Sequence, residues 1–165
     1  MLSISYIIIG VAIFIAIIVV VFYFLIKKRK KHRGQAYLDN DNLLRSSFRG
    51  MKGNDFENFV ADVYSKLGYQ TEKVGGSGDG GIDIIAKKDN KKYIIQCKDW
   101  NSNKANPDDV SRLHSAVYRE QVDKGIFVAV SGFTTQAMAE FDKESKMELV
   151  DGQGIIDLYK KANQG

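Results

Sequence analysis

The sequence predicts an α/β domain carried behind a single membrane-spanning helix. Three observations predict it. Residues 1–26 contain no charged residue, and residues 27–33 then hold six Lys/Arg in seven positions. From Asn54 onward, helical and strand periodicities follow one another in the order α-β-β-β-α-β-α-β-α. The 165 residues are 44% hydrophobic and 27% charged, the composition of a folded chain, which excludes a disordered or fibrous protein. One proline and one cysteine exclude a Pro-rich linker protein and a disulfide framework.

The apolar segment runs from Ile4 to Ile26, broken only by Ser5 and Gly10. At ~1.5 Å per residue its 23 residues reach roughly 35 Å, enough for a bilayer core of ~30 Å. Tyr6 sits near one end, and Phe22, Tyr23 and Phe24 near the other, as interfacial aromatics do. A cleaved signal peptide would need a basic start and a shorter apolar core, and this segment has neither. The basic tract 27–33 then sets topology: N-terminus outside, the rest in the cytoplasm at the cell membrane, with the tract against anionic headgroups. The tract also accounts for the net charge of +4 and the pI near 9.0. Residues 34–165 keep 18 Lys/Arg against all 20 Asp/Glu, a net charge of about −2. The expected organisation is a transmembrane helix (1–26), a basic tract and tether (27–53, with a short helix around Asn42–Phe48), and a folded domain (54–163).

Within that domain, Asn54 opens a helix. Glu57 stands three residues on, at capping-box spacing, and Phe56, Phe59, Val60, Val63, Tyr64 and Leu67 form the apolar face. Gly68 ends the helix, and Tyr69 to Val74 is extended. Ile82–Lys87 and Lys92–Lys98 alternate as a hairpin around Lys88-Asp89-Asn90-Lys91. Asn106-Pro107 is a cap followed by proline at the first helical position. Gly125–Val130 reads as a strand buried on both faces. Thr134 or Thr135 caps the next helix, Glu148–Val150 is the last strand, and Ile155–Ala162 the last helix.

Gly75 to Gly81 is a glycine loop. Gly76, Gly78 and Gly81 satisfy G-x-G-x-x-G, but a strand follows where a dinucleotide site needs a helix, and no Lys-Ser/Thr follows for a P-loop. The glycines instead indicate a sharp turn or a backbone passing close to another group. With a two-residue turn at Asp89-Asn90, Asp83 falls directly opposite Gln96, and Gln96 and Lys98 share its face. Cys97 points the other way, into the core with Ile95. A carboxylate, an amide and an ammonium thus gather at one end of a sheet. Asp83 and the Gln96 amide oxygen suit a hard cation such as Mg²⁺, and Lys98 suits a metal-bound water or the charge of a phosphate under attack.

From Met51 to Leu158, roughly two-thirds of the chain, the sequence resembles the Mrr-like restriction endonuclease domain of the PD-(D/E)xK nuclease superfamily. The resemblance is carried by Gly53-x-x-Phe56-Glu57, Leu67-Gly68-Tyr69, Gly78-Asp79-Gly80-Gly81-Ile82-Asp83, Gln96-Cys97-Lys98, Gly132-Phe133-Thr134-x-x-Ala137 and Leu149-Val150-Asp151-Gly152. It implies a restriction-endonuclease-like mixed central sheet flanked by helices, and Mg²⁺-dependent cleavage of DNA phosphodiesters. It assigns the catalytic aspartate to Asp83, the Q-x-K pair to Gln96 and Lys98, and a helix glutamate near the metal to Glu57. The metal set is then Asp83, Gln96 and Glu57. Gly78, Asp79, Gly80 and Trp100 form the candidate substrate contacts, although Asp79 also reads as a turn-former and Trp100 as a packing residue. Glu57 also reads as a capping-box residue only. Double-strand cleavage would need two sites, hence a homodimer. The family commonly carries a separate DNA-binding domain, and in this sequence the apolar segment holds that end. The other reading is a membrane-tethered module that binds nucleic acid or protein without cutting. Cys97 and His114 read as packing residues, neither having the spacing of a nucleophile pair or a metal site. Lys87, Lys88, Lys91 and Lys92 surround the hairpin tip, either as a lysine-guarded solvated edge or as a phosphate contact.

Overall fold

A computed structural model describes residues 4–74, 81–99, 103–141, 143–144 and 146–164; residues 4–13, 29–40 and 49 are described by backbone alone. The elements are α1 (Ile4–Arg49), α2 (Asn54–Lys66), β1 (Gln70–Lys73), β2 (Ile84–Lys88), β3 (Lys91–Lys98), α3 (Pro107–Arg119), β4 (Lys124–Ala129), α4 (Thr135–Phe141), β5 (Met147–Asp151) and α5 (Gly152–Ala162). The chain divides into two compact units, Met1–Leu43 and Leu44–Gly165.

The described residues of the first unit, 4–43, are all helical. The expected tether with a short helix at 42–48 is instead part of α1, which continues unbroken to Arg49. Thirteen of residues 27–49 are Lys, Arg, Gln, Ala or Leu, good helix formers, so the helix needs no apolar period to persist until Gly50. Among the described residues no helix is long and apolar enough to cross a membrane. The expected span, 4–26, lies partly outside the described side chains, which in this stretch begin at Phe14. From Phe14 to Ile26 the large apolar side chains are exposed.

The second unit is built on a five-stranded mixed sheet in the order β1-β2-β3-β4-β5. β1, β2 and β3 are antiparallel neighbours, while β4 and β5 add in parallel. The expected register of the hairpin holds: Ile84 pairs with Ile95 and Lys88 with Lys91. Asp89 and Asn90 take φ of 50° and 61°, the paired positive values a two-residue type I′ turn requires. β2 begins at Ile84 rather than at Ile82, because Asp83 spends its side chain on the ladder, as described below.

Helices cover both faces. On one face Val110, Leu113, Val117 and Phe141, from α3 and α4, pack on Ile94 and Phe127. On the other, Phe56, Val60 and Ile155, from α2 and α5, pack on Ile84, Ile95 and Val128. Each fully buried Ile, Leu, Val or Phe contributes about 1.5–3 kcal/mol. β4 is buried along nearly its whole length, as a parallel strand between two helical layers must be.

Helix starts follow local sequence in part. Asn106 accepts from the Asp109 N–H, and Asp109 accepts from the Asn106 N–H, closing a capping box at α3. The Thr134 hydroxyl accepts from the Ala137 N–H, 3.2 Å, at the start of α4. The box expected at Asn54 and Glu57 does not form. Gly53 is the cap of α2, at φ 43°, and the Asn54 side chain accepts from Lys73 instead.

Candidate active site

Asp83 stands at the start of β2. Its N–H donates to Ile95 O and its C=O accepts from Val74 N–H, both at 2.9 Å. Its carboxylate Oδ2 accepts the Cys97 N–H at 2.6 Å. The side chain thus takes the ladder position that a backbone carbonyl would hold, which fixes the carboxylate against β3. Gln96 lies on β3 between Ile95 and Cys97, the two residues that Asp83 bonds. Its Oε1 is buried and accepts no hydrogen bond among the described residues. A buried amide oxygen without a donor costs about 1–3 kcal/mol, so it marks a place where another group is expected.

Gly81, at φ 84°, closes over this amide. A Cβ there would lie 2.7 Å from Gln96 Nε2 and 3.2 Å from Oε1, so only glycine lets the end of the loop lie so close. The expectation that the glycines permit a close backbone approach is met at Gly81. Gly78, Asp79, Gly80 and Trp100 lie outside the described residues.

Lys98, two residues beyond Gln96 and on the same face, donates to Asp109 Oδ2 at 2.7 Å, and both side chains are about four-fifths covered. Asp109 also receives the Asn106 N–H at 3.0 Å and Arg112 at 3.3 Å. Burial alone would raise the Asp109 carboxyl. The hydrogen bonds from Lys98 and Asn106, with the charges of Lys98 and Arg112, outweigh it and hold the group below its ordinary 3.8.

Glu57 lies on α2, the helix on the other face of the sheet. It pairs with Lys73 Nζ at 3.1 Å, and Lys73 also donates to Asn58 at 2.9 Å. Glu57 is therefore not a capping residue, and the structure does not bring it onto the face of Gln96 and Lys98. Its charge does reach Cys97. Burial, then the carboxylates of Asp83 and Glu57, push the Cys97 thiol well up, which fits an inert core cysteine rather than a nucleophile. His114 packs edge-on against Tyr118 and Phe141, with centroids 5.2 and 5.7 Å away.

Two helix starts meet the end of β3 that carries these groups. The Gly53 N–H, at the head of α2, donates to Asp99 at 3.1 Å, and Asp109 in the first turn of α3 holds Lys98. Helix N-termini favour anions, and here carboxylates take that place, Asp99 at the head of α2 and Asp109 in the first turn of α3. Beside this end of β3, at the carboxyl ends of β4 and β5, a cleft of about 380 Å³ carries Arg45 and Lys104. Sequence reasoning missed Asp109, Lys73, Arg45 and Lys104. Asp109 had a signal, its capping-box spacing from Asn106; the other three pair or gather only through tertiary structure.

Comparison with known proteins gives this arrangement a lineage. A family model described as a restriction endonuclease, the Mrr catalytic domain, matches residues 48–159. The chain belongs to the Mrr-type restriction endonuclease family. The type IV methyl-directed restriction enzyme EcoKMrr of Escherichia coli (strain K12) is 34% identical over 111 residues, covering 62% of this chain and 36% of that protein. The chain spans about a third of the length of the curated relatives it matches. Among solved structures, the DNA modification-dependent restriction endonuclease AspBHI shares the fold with a TM-score of 0.58 and 22% identity, over 74% of this chain and 35% of that one. A protein of unknown function, AF1548, does so with 0.54 and 17%, over 64% of each. The mixed sheet flanked by helices is therefore restriction-endonuclease-like, as expected.

Among the described residues no group of three or more His, Cys, Asp or Glu gathers as a metal site. The chemistry nevertheless fits Mg²⁺, which binds few protein oxygens and keeps several waters. Asp83 and Gln96 Oε1, which accepts no hydrogen bond among the described residues, would supply two such oxygens.

Proposed function

We propose that this chain is a membrane-anchored, Mg²⁺-dependent endonuclease that hydrolyses DNA phosphodiester bonds. One observation carries the reading: a buried Gln96 oxygen that accepts no hydrogen bond among the described residues, next on β3 to Cys97, whose N–H holds the Asp83 carboxylate, with Lys98 held in place two residues on. Asp83 and Gln96 would hold the metal, which when bound polarises a phosphate and lowers the pKa of water; Glu57 would join them only by leaving its pair with Lys73 on the α2 side. The Cys97 N–H keeps the Asp83 carboxylate turned toward β3. Lys98 supplies a fixed cation for the scissile phosphate or the attacking water, and Asp109 sets where that cation stands. Gly78, Asp79, Gly80 and Trp100 are the proposed substrate contacts. Cleavage of both strands calls for two chains.

Anchoring rests on the uncharged run of 23 residues, the basic tract behind it and the exposed apolar side chains from Phe14 to Ile26. Such a surface needs lipid or a partner to cover it. The proposed topology is a single pass at the cell membrane, with the N-terminus outside and the nuclease domain in the cytoplasm. Because EcoKMrr is methyl-directed, methylated DNA is the substrate to try first. The engagement of Lys98 by Asp109 and the slightly acidic domain favour one alternative, a tethered module that binds without cutting.

The test is conversion of supercoiled plasmid, methylated and unmethylated, by the full chain with Mg²⁺. Asp83→Ala and Lys98→Ala should each abolish conversion. Equal conversion by wild type and both variants would rule out the assignment, and binding without any conversion would favour the alternative.

A further inference from the structure

The lysines of the β2–β3 turn have no part in the chemistry described above. Lys87, Lys88, Lys91 and Lys92 flank Asp89-Asn90 in a domain whose overall charge is slightly negative. The register sets them in two directly opposed pairs, Lys87 with Lys92 and Lys88 with Lys91. Like charges directly opposite on a sheet are destabilising. Strand lysines commonly serve to block an exposed sheet edge. That explanation fails at this turn, because β2 and β3 are interior strands, with β1 on one side and β4 and β5 on the other.

The four lysines, with Gly68, Gln70, Asp89 and Asn90, line a cleft of about 450 Å³, four cations against one carboxylate. Lys88 is committed to the fold. Its Nζ donates to Leu67 O at 2.7 Å, at the end of α2, and stands 4.8 Å from the Tyr69 ring centre. Lys87, Lys91 and Lys92 form no ion pair among the described residues. The amides of Gln70 and Asn90 add hydrogen-bond donors suited to phosphate oxygens.

We infer that this cleft is a second nucleic-acid contact, which grips the phosphate backbone through Lys87, Lys91 and Lys92. The inference rests on the nuclease reading, which supplies the polyanion. Lys92 and Lys98 are six residues apart on β3, or about 20 Å, so the cleft adds affinity at a distance from the reacting centre. It answers a need, since non-specific DNA affinity scales with the phosphates neutralised and the domain's net charge provides none. A lipid surface is the weaker candidate. The lysines stand at the end of the sheet opposite Lys98. A flat headgroup layer also does not fill a cleft.

The test measures binding of a labelled 30-base-pair duplex (length of about three helical turns) by the full-length protein, in metal-free buffer across a salt series. It compares wild type, Asp83→Ala, and a triple variant with Lys87→Gln, Lys91→Gln and Lys92→Gln. The triple variant should bind roughly tenfold or more weakly at low salt. Its log–log salt slope should fall by about 2–3, near 0.9 for each phosphate that is no longer neutralised. Asp83→Ala should keep the wild-type slope. A triple variant with the wild-type slope overturns the inference and leaves the nuclease reading standing. A wild type that neither binds nor cuts DNA overturns both. If the triple variant fails to bind phosphatidylserine vesicles while duplex binding is unchanged, the inference is overturned in favour of a lipid partner. Removing opposed like charges should leave the melting temperature at or above the wild-type value. If it falls, single Lys91→Gln carries the comparison, with an expected slope change of about 0.9 and none if the inference is wrong.

Discussion

Single residues hold the candidate site in shape, and each makes a different prediction. Gly81→Ala places a Cβ at 2.7 Å from Gln96 Nε2 and forces a side-chain-bearing residue to φ 84°. The strain should cost about 1–2 kcal/mol, read as a lower midpoint in chemical denaturation, and Gln96 should shift enough to depress cleavage as well. Stability equal to wild type would contradict the close approach. Asp109 carries a pH signature. Its folded carboxyl titrates below the ordinary 3.8, so the unfolded chain binds the proton more readily. The group therefore stabilises the fold above that value, and the contribution is lost as pH falls through the lower folded value. Below about pH 4, wild type should lose stability more steeply than Asp109→Asn, as followed by thermal melts across pH. Parallel acid limbs would show that Asp109 does not hold Lys98 as described. Neither the Asp109–Lys98 bond nor the bond from the Cys97 N–H to Asp83 could be read from sequence, because each joins residues 11 or 14 positions apart on different elements.

At the scale of elements, local rules succeeded where the local signal was complete. A two-residue turn fixes hairpin register, so the pairing of Ile84 with Ile95 through Lys88 with Lys91 followed once Asp89-Asn90 was taken as the turn. Asn106-Pro107 announced α3 by a cap and a proline, and both serve as expected. The same reasoning placed the start of α2 correctly at Asn54 but misassigned its cap, because Gly53 at positive φ holds that position and Lys73 draws Asn54 and Glu57 toward β1. It also stopped α1 too early, since polar helix formers without an apolar stripe look like a tether. The turn itself offers a test. Asn90 sits at φ 61°, where glycine carries no Cβ penalty, so Asn90→Gly should stabilise the fold by a few tenths to about 1 kcal/mol. Asn90→Val should destabilise it by about 1–2 kcal/mol. The reverse order in denaturation midpoints would contradict the type I′ geometry.

For the whole molecule, the two ends of the sheet differ in character. One gathers Asp83, Gln96 and Lys98 beneath the starts of α2 and α3, and the other carries the opposed lysines. The pI near 9.0 describes neither, because the excess charge lies in 27–33. If the preceding apolar run is an anchor, the full chain should stay with membranes after an alkaline carbonate wash; release into the supernatant would remove the anchor from the account. The central claim is that Asp83 and Gln96 form a metal-binding pair for phosphodiester hydrolysis. It is tested most directly by the rate of duplex cleavage as a function of Mg²⁺ concentration in wild type, Gln96→Glu and Gln96→Ala. The account predicts saturation in all active forms, at lower Mg²⁺ for Gln96→Glu and at much higher Mg²⁺, or not at all, for Gln96→Ala. An identical Mg²⁺ dependence in the three proteins would contradict it.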